Sequence, residues 1–302
     1  MSGGSQAFTA AGRDQYENPL GDVTAKTNFT ISPNGSCSGT SCTATIAGAH
    51  TVSGTDGGKT GTASLQVNPG PLDHIAINPS SATIVAGTSQ PFTVQGFDAV
   101  NNSLGDVTSA SSFSIAPDGS CSGSSCSATA GGPHTVTAAD AGKTSSASVQ
   151  VNLVRNPGFE NDLSGWNTSG SGANIALTRV SGGHSGNSAA KIANTGTTTS
   201  TYAVLQDSPN WVATSSAGTY TASLWVRADT AGAVFKLKLQ EYNGSTLVGS
   251  NSAQVTLSTS WQKVTVTYTI GSPGSTLDFQ SYVTNPAAGS AFYADDASIT
   301  RG

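Results

Sequence analysis

Charged residues are scarce in this 302-residue chain: they make up 10% of it, with 12 Lys and Arg against 17 Asp and Glu. The net charge of -5 excludes a basic surface for nucleic acid or for an anionic membrane. Long apolar runs are also lacking, and the run 82–87 falls far short of the roughly 20 residues of a membrane span. What remains is a polar, Gly-rich chain with recurring short apolar alternations, which is typical of an ordered, secreted all-β protein.

A secretory signal is missing from the start of the chain. Residues 1–4 read Met-Ser-Gly-Gly, and neither a basic segment nor an apolar segment follows them. We therefore expect the chain to begin inside a longer protein whose signal, and further domains, lie upstream. The composition predicts an extracellular or cell-surface location.

An internal repeat of 84 residues organises the first half. Residues 5–68 superimpose on 89–152 without a gap, so that 20–24 falls on 104–108 and 50–52 falls on 134–136. Short apolar alternations recur about every ten residues between Gly, Asn, Asp and Pro clusters, which predicts a β-sandwich in each copy. The pattern resembles the bacterial immunoglobulin-like repeats of large surface and secreted proteins, and we place one copy at 1–70 and the other at 71–152.

The two copies differ at their start. The second copy opens with 72–87, a strand-turn-strand pattern, whereas the first has only residues 1–4 in that place. We expect the first copy to lack its opening strand and to leave a sheet edge unpaired. Either a longer array or a neighbouring chain would supply the strand.

The four cysteines recur with the repeat. Cys37 and Cys42 fall on Cys121 and Cys126. An even count, one spacing and a secreted composition predict one disulfide in each copy. A metal site would need further ligands, which neither pair has nearby. So short a loop restricts the unfolded chain little, and each disulfide contributes about 2 kcal/mol at most.

Aromatic residues concentrate in the second half. All four Trp and six of the seven Tyr lie in 153–302, where eight further strands are predicted. Their count and spacing fit a two-sheet jelly roll. The opening 156–160 (Asn-Pro-Gly-Phe-Glu), the run 220–227 and the closing 292–296 (Phe-Tyr-Ala-Asp-Asp) resemble carbohydrate-binding modules of families 4, 9 and 22. The predicted fold is all-β: two tandem immunoglobulin-like sandwiches followed by a β-jelly roll at 153–302.

Two acids at the ends of this jelly roll suggest a calcium site. Glu160 and Asp295 would meet if the fold brings its termini together, and carboxylates with backbone carbonyls suit calcium. Modules similar to this one carry a structural calcium at such a place, and the loop 181–187 could add carbonyls. In the alternative interpretation, both acids only accept backbone hydrogen bonds.

Strand alternation separates core positions from outward positions. In the run 220–227, Leu224 lies on the core side, which leaves Trp225 and Arg227 on the opposite face. The same reasoning turns further aromatic and amide residues outward, and pyranose rings stack on such aromatics while amides and guanidinium groups meet sugar hydroxyls. The predicted carbohydrate-binding residues share one sheet face: Trp225, Tyr242, Tyr282, Arg227, Gln206, Gln240 and Gln280. We assign Trp166 and Trp261 to the structure, whereas Trp211 fits either role.

No catalytic constellation emerges. The run 183–186 places His184 beside Ser185 but lacks the Gly-x-Ser-x-Gly elbow and its α/β setting. Glu241 and Asp278 would serve as a glycosidase pair only if both faced outward, and Glu241 falls on the core-facing phase.

The sequence predicts a non-enzymatic extracellular fragment in which two spacers carry a polysaccharide-binding module that uses preformed shape and aromatic stacking. A structural or adhesive surface protein, whose jelly roll contacts protein, is the alternative, and a lyase or hydrolase hidden in the jelly roll is a weaker one. Burial of Trp225, Tyr242 and Tyr282 by a neighbour would favour the adhesive protein.

Overall fold

Strands are almost the only regular secondary structure in the chain. The computed structural model describes residues 1–302 and contains 28 strands, two 3-10 turns at Thr24–Lys26 and Thr108–Ala110, and no α-helix. The all-β class is therefore confirmed. None of its elements is a helix with the length and hydropathy of a membrane span.

The first copy of the repeat has eight strands. In chain order they are β1 (Ser5–Ala7), β2 (Ala11–Arg13), β3 (Pro19–Asp22), β4 (Asn28–Ser32), β5 (Ser36–Ser38), β6 (Ser41–Thr43), β7 (Gly48–Asp56) and β8 (Lys59–Val67). They form three small sheets with the orders β1-β6-β5, β2-β3 and β4-β7-β8.

The second copy has ten strands. They are β9 (His74–Asn78), β10 (Ser81–Val85), β11 (Ser89–Pro91), β12 (Thr93–Phe97), β13 (Ser103–Asp106), β14 (Ser112–Ala116), β15 (Ser120–Ser122), β16 (Ser125–Ser127), β17 (Gly132–Asp140) and β18 (Lys143–Asn152). Their sheets have the orders β11-β16-β15, β13-β12-β9 and β10-β18-β17-β14. Strands β11 to β18 repeat β1 to β8 at the 84-residue offset, whereas β9 and β10 have no counterpart. The immunoglobulin-like identity of these copies stays a prediction.

Both predicted disulfides are present. Cys37–Cys42 joins β5 to β6, and Cys121–Cys126 joins β15 to β16, each between residues directly opposite in the pair. No cysteine is free.

The last 150 residues fold into two five-stranded antiparallel sheets. Their strands are β19 (Trp166–Asn167), β20 (Ile175–Ser181), β21 (Ser188–Asn194), β22 (Tyr202–Asp207), β23 (Thr219–Ala228), β24 (Val234–Asn243), β25 (Thr246–Thr256), β26 (Gln262–Thr269), β27 (Thr276–Thr284) and β28 (Ala291–Arg301). Sheet A has the order β19-β22-β27-β24-β25 and sheet B the order β20-β21-β28-β23-β26.

Apolar alternation packs the two sheets together. Phe235, Leu237 and Leu239 on sheet A share one buried cluster with Leu224 of sheet B. The ring of Phe235 meets that of Phe292 on sheet B edge to face at 5.3 Å. Every second residue of a strand therefore faces the core, and the others form the outer faces of the two sheets.

Contacts between residues divide the chain into two compact units. One comprises Met1–Ser80, Pro91–Phe113 and Thr137–Ala147, and the other comprises Ser81–Gln90, Ser114–Val136 and Ser148–Gly302. The predicted domain limits of 1–70, 71–152 and 153–302 stay a prediction.

Within the second unit, one side chain fixes the junction after β18. Asn152 is buried, and its amide donates to the carbonyl of Ala297 at 2.9 Å. Its carbonyl oxygen accepts from the backbone N–H groups of Val154 and Ile299, both at 3.0 Å. The jelly roll thus begins directly on β18, without a loose linker.

Candidate functional site

The outer face of sheet A gathers aromatic and amide side chains from three neighbouring strands. The strand register places Val204 of β22 opposite Tyr282 of β27, and Tyr282 opposite Lys236 of β24. We call this surface the tyrosine face, and its members are Tyr202, Gln206, Lys236, Lys238, Gln240, Tyr242, Asp278, Gln280 and Tyr282.

Hydrogen bonds and ring contacts hold the tyrosine face in place. The amide of Gln280 donates to Gln206 Oε1 at 3.0 Å, and that of Gln240 donates to the Tyr242 hydroxyl at 3.0 Å. Polar groups with fixed positions bind a hydroxylated ligand at a smaller entropic cost than mobile ones.

Tyr202 belongs to this surface although it is not among the seven predicted residues. Its ring meets that of Tyr282 edge to face at 5.8 Å, and 44% of the residue is exposed. Lys236 lies over the ring of Tyr282, with its Nζ 5.9 Å from the ring centroid. The signal in the sequence is phase: Tyr202 precedes Val204 and Gln206 on the outward side of one strand.

The prediction of a single shared face was wrong for Trp225 and Arg227. Both lie on β23, which belongs to sheet B. They therefore lie on the outer face of sheet B, on the other side of the sandwich from the tyrosine face. The ring of His184 stacks on Trp225 at 3.7 Å, and the Arg227 guanidinium lies 3.9 Å from the ring centroid of Tyr293. The other five predicted residues share the tyrosine face.

Trp166 and Trp211 are structural, and Trp261 is a partly exposed neighbour of Arg227. Trp166 is buried, contacts Trp211 edge to face at 5.5 Å and donates from Nε1 to the carbonyl of Asn156 at 2.9 Å. Trp211 is 6% exposed, so of its two predicted roles the structural one applies. Trp261 lies 5.2 Å from the Arg227 guanidinium.

Asp278 of the tyrosine face shares a hydrogen bond with the buried Asp207. Asp207 is buried and accepts from the backbone N–H groups of Trp211 at 2.8 Å and Phe279 at 3.2 Å. Burial, with the neighbouring charge and hydrogen bond of Asp278, raises the pKa of Asp207 to about 8. Desolvation also raises the pKa of Asp278. The pair therefore keeps a proton at neutral pH.

This shared proton predicts a pH-dependent stability. The folded-state pKa of Asp207 lies above that of an unfolded Asp, so its contribution is complete below about pH 4 and is lost as the pH rises through about 8. We expect the free energy of unfolding to fall over this window with a slope of at most about 1.4 kcal/mol per pH unit from this pair. In Asp278→Asn the amide replaces the shared proton and should flatten the slope. Urea titrations between pH 5 and pH 9, with the exposed Glu17→Gln as control, measure it, and parallel curves for the variant and the wild type would contradict the assignment.

Glu241 lies on the inner side of sheet A, as its phase predicts. It is fully buried and accepts from the Tyr268 hydroxyl at 2.8 Å, from Gly271 N at 2.8 Å, from Ser272 N at 2.7 Å and from Ser275 Oγ at 2.7 Å. Burial alone raises the pKa of Glu241, but these hydrogen bonds outweigh it and bring the pKa below the ordinary value. Glu241 anchors the segment 271–275 and does not reach the tyrosine face.

His184 and Ser185 do not form a nucleophile–base pair. Each binds the carboxylate of Asp296, His184 through Nδ1 at 2.6 Å and Ser185 through Oγ at 2.6 Å. The serine hydroxyl therefore donates to an acid and not to the imidazole.

Glu160 and Asp295 converge on the loop before β21. Glu160 accepts from the backbone N–H groups of Asn187 at 3.0 Å and Ser188 at 3.1 Å, and Asp295 accepts from those of His184 at 2.7 Å and Ser185 at 3.2 Å. Both acids thus accept backbone hydrogen bonds, as the alternative interpretation holds.

Oxygen atoms also crowd the space beside this loop. A Cβ on Gly183 would collide with the carbonyls of Ser185 and Ser188 and with Asp295 Oδ2, 2.8 Å away. Desolvation, with the charge of Asp296, raises the pKa of the fully buried Asp295 to about 6. Carboxylate and carbonyl oxygens are the donors that calcium prefers, although no three His, Cys, Asp or Glu side chains cluster here as metal ligands.

Comparison with known proteins finds similar proteins for the second half of the chain. Residues 151–288 match the family described as carbohydrate binding domain. TmCBM61, solved in complex with beta-1,4-galactotriose, is 22% identical, with a TM-score of 0.40, over 50% of this chain and 99% of its own. The CBM22-1 xylan-binding domain of Paenibacillus barcinonensis Xyn10C is 17% identical, with a TM-score of 0.36, over 48% of this chain and 91% of its own.

A family 16 carbohydrate binding module is 19% identical, with a TM-score of 0.38, over 50% of this chain and all of its own. A search of curated proteins found no match to the chain. The family match covers most of the jelly roll and supports carbohydrate binding by residues 151–288.

Proposed function

We propose that the chain is a non-catalytic polysaccharide-binding protein and that the sugar chain lies on the tyrosine face. The observation that carries the proposal is that Tyr202, Tyr242 and Tyr282 share one outer face with three glutamines that are held by hydrogen bonds. Apolar faces of pyranose rings stack on such rings, while amides and lysines bind the hydroxyl groups. A flat face buries a limited area, so we expect micromolar to millimolar dissociation constants.

The location and the role of the repeats belong to the same proposal. Two disulfides fit an oxidising compartment, so we place the protein outside the cell or on its surface. There the two copies of the repeat act as spacers that hold the jelly roll near a polysaccharide, as part of a larger secreted or surface protein.

Isothermal titration of the full chain against an oligosaccharide panel tests sugar binding. The panel includes beta-1,4-galactotriose and soluble xylan, which are ligands of two similar carbohydrate-binding modules. We expect saturable binding to at least one glycan and no release of reducing ends during prolonged incubation. Glycan cleavage that Asp278→Asn abolishes would contradict the non-catalytic role.

We further propose that Glu160 and Asp295 bind a structural calcium ion with the carbonyls of Ser185 and Ser188. The ion would neutralise the buried Asp295 carboxylate and fix the loop before β21. At a calcium concentration of 100 times the dissociation constant, such a site adds about 2.7 kcal/mol to stability.

Removal of calcium should therefore lower the melting temperature. We expect EDTA to lower Tm by about 5 °C or more, since 1 kcal/mol shifts Tm by about 2–4 °C in a domain of this size, and excess calcium to restore it. Glu160→Gln should have a low Tm that no longer responds to EDTA, whereas Glu17→Gln should respond as the wild type does. If EDTA leaves the Tm of the wild type unchanged, Glu160 and Asp295 do not bind calcium and serve only as acceptors of backbone hydrogen bonds.

A further inference from the structure

The first copy of the repeat leaves unpaired two sheet edges whose equivalents in the second copy are paired with β9 and β10. In the second copy, β9 pairs antiparallel with β12, and β10 pairs parallel with residues 148–152 of β18. The corresponding edges of β2 and β8 carry no strand. Unpaired edges leave backbone N–H and C=O groups free to pair with another strand.

A groove lies beside these edges in the first copy. Its volume is about 460 Å³, and it is lined by apolar and small residues, among them Phe8, Ala10, Gly12 and Ala63. We call this space the open groove.

The burial of equivalent residues shows what the open groove lacks. Phe92, Val94, Ala147 and Val149 of the second copy are each exposed by 2% or less. Their equivalents differ: Phe8, Ala10 and Leu65 are half-buried, and Ala63 is exposed. The first copy therefore presents core positions to solvent, and apolar area that remains exposed costs stability.

The second copy also defines the chemistry that fills such a space. Ile75 and Ile77 of β9 and Ile84 of β10 are buried there, at 5%, 7% and 5% exposure. The side chain of Leu72 approaches Gly96, the equivalent of Gly12, to 3.0 Å of where a Cβ would stand.

An ion pair beside β9 has half of its equivalent in the first copy. Lys143 forms an ion pair with Asp73, just before β9, at 3.8 Å. The equivalent of Lys143 in the first copy is Lys59, which is exposed and lines the open groove. An acidic residue of a docked segment, in the position of Asp73, would therefore form an ion pair with Lys59.

The backbone at the start of the chain has the same register as the backbone that follows β10 in the second copy. Ser2 N donates to Asn68 O at 2.7 Å and Gly3 N to Ala44 O at 2.9 Å. The second copy has the equivalent two bonds directly after β10: Ala86 N donates to Asn152 O and Gly87 N donates to Ala128 O, both at 2.8 Å.

We propose that the open groove is a docking site for a polypeptide segment from outside residues 1–302 with the chemistry of residues 72–85. Such a segment has an acidic residue before a strand with aliphatic residues at alternate positions, then a turn and a second short strand. It pairs antiparallel with β2 and parallel with 64–68 of β8, which is strand addition at a sheet edge. A second copy of the chain is a poor donor, because its own Ile75, Ile77 and Ile84 are already buried.

Titration of the full chain with a synthetic peptide of residues 71–88 tests the docking site. We expect saturable one-to-one binding and slower amide hydrogen exchange at 64–68. The peptide with Ile75→Asn and Ile77→Asn should bind at least about tenfold more weakly, because both apolar anchors are lost.

Two variants of the chain separate docking from nonspecific association. Ala63→Lys fills the open groove from an exposed position and should weaken peptide binding at least about tenfold. Thr51→Lys adds the same charge on the outer side of β7 and should leave the affinity unchanged. Equal binding of both peptides, or no exchange protection at 64–68, would overturn the proposal. A free chain that is dimeric by light scattering, and monomeric as Ala63→Lys, would also overturn it, since a second copy would then fill the open groove.

Discussion

Replacement of Glu241 by glutamine should lower the free energy of unfolding by about 3 kcal/mol. The carboxylate accepts from the Tyr268 hydroxyl and Gly271 N on one oxygen, and from Ser272 N and Ser275 Oγ on the other. An amide group would turn its NH₂ toward two of these donors, so two buried hydrogen bonds would be lost. Urea unfolding measures the change, and Tm should fall by about 6–12 °C.

Two further variants identify the cause of this loss. Tyr268→Phe removes one of the four donors and should cost about 1 kcal/mol. The exposed Glu17→Gln removes a carboxylate without buried partners and should leave the unfolding curve unchanged. A loss for Glu241→Gln no larger than that for Glu17→Gln would mean that segment 271–275 does not depend on this acid.

Removal of the Tyr282 ring should weaken glycan binding about tenfold or more. Its ring lies at one end of the tyrosine face, beside Tyr202 and beneath Lys236. A lost stacking platform costs roughly 1.4 kcal/mol or more, which corresponds to a factor of about ten in affinity. Titration of Tyr282→Ala with the best glycan of the panel measures the loss, and Tyr282→Phe should retain most of the affinity.

Tyr16 and Trp225 provide the controls for this experiment. Tyr16 is 76% exposed in the first copy of the repeat, so Tyr16→Ala should bind as the wild type does. Trp225 lies on the outer face of sheet B, and Trp225→Ala should also retain the affinity. Weak binding by Trp225→Ala with full binding by Tyr282→Ala would move the sugar to sheet B and exclude the tyrosine face.

Alternation along a single strand was predictable from the sequence, and pairing between distant strands was not. The phase of β24 places Lys236 outward and Glu241 in the core, as the structure confirms, because period-two geometry is local. Strand phase also predicts that Trp225 points outward, but it does not determine to which of the two sheets β23 belongs. That depends on the pairing of β23 with β26 and β28, which lie far along the chain.

The details of polar clusters were equally beyond the sequence. The spacing of Cys37 and Cys42 predicted a disulfide because its loop is short and local. By contrast, the hydrogen bond between Asp207 and Asp278 joins residues of two strands separated by β23 to β26. Their shared proton follows from burial, which no spacing encodes.

Asn152 has a mechanical consequence. Its side chain joins the end of β18 to the last strand of the jelly roll through Ala297 and Ile299. Within the second unit, these bonds restrain rotation of the jelly roll about residues 148–152 of β18. A force applied to the jelly roll would therefore reach the backbone of these residues directly, because no flexible linker lies between them.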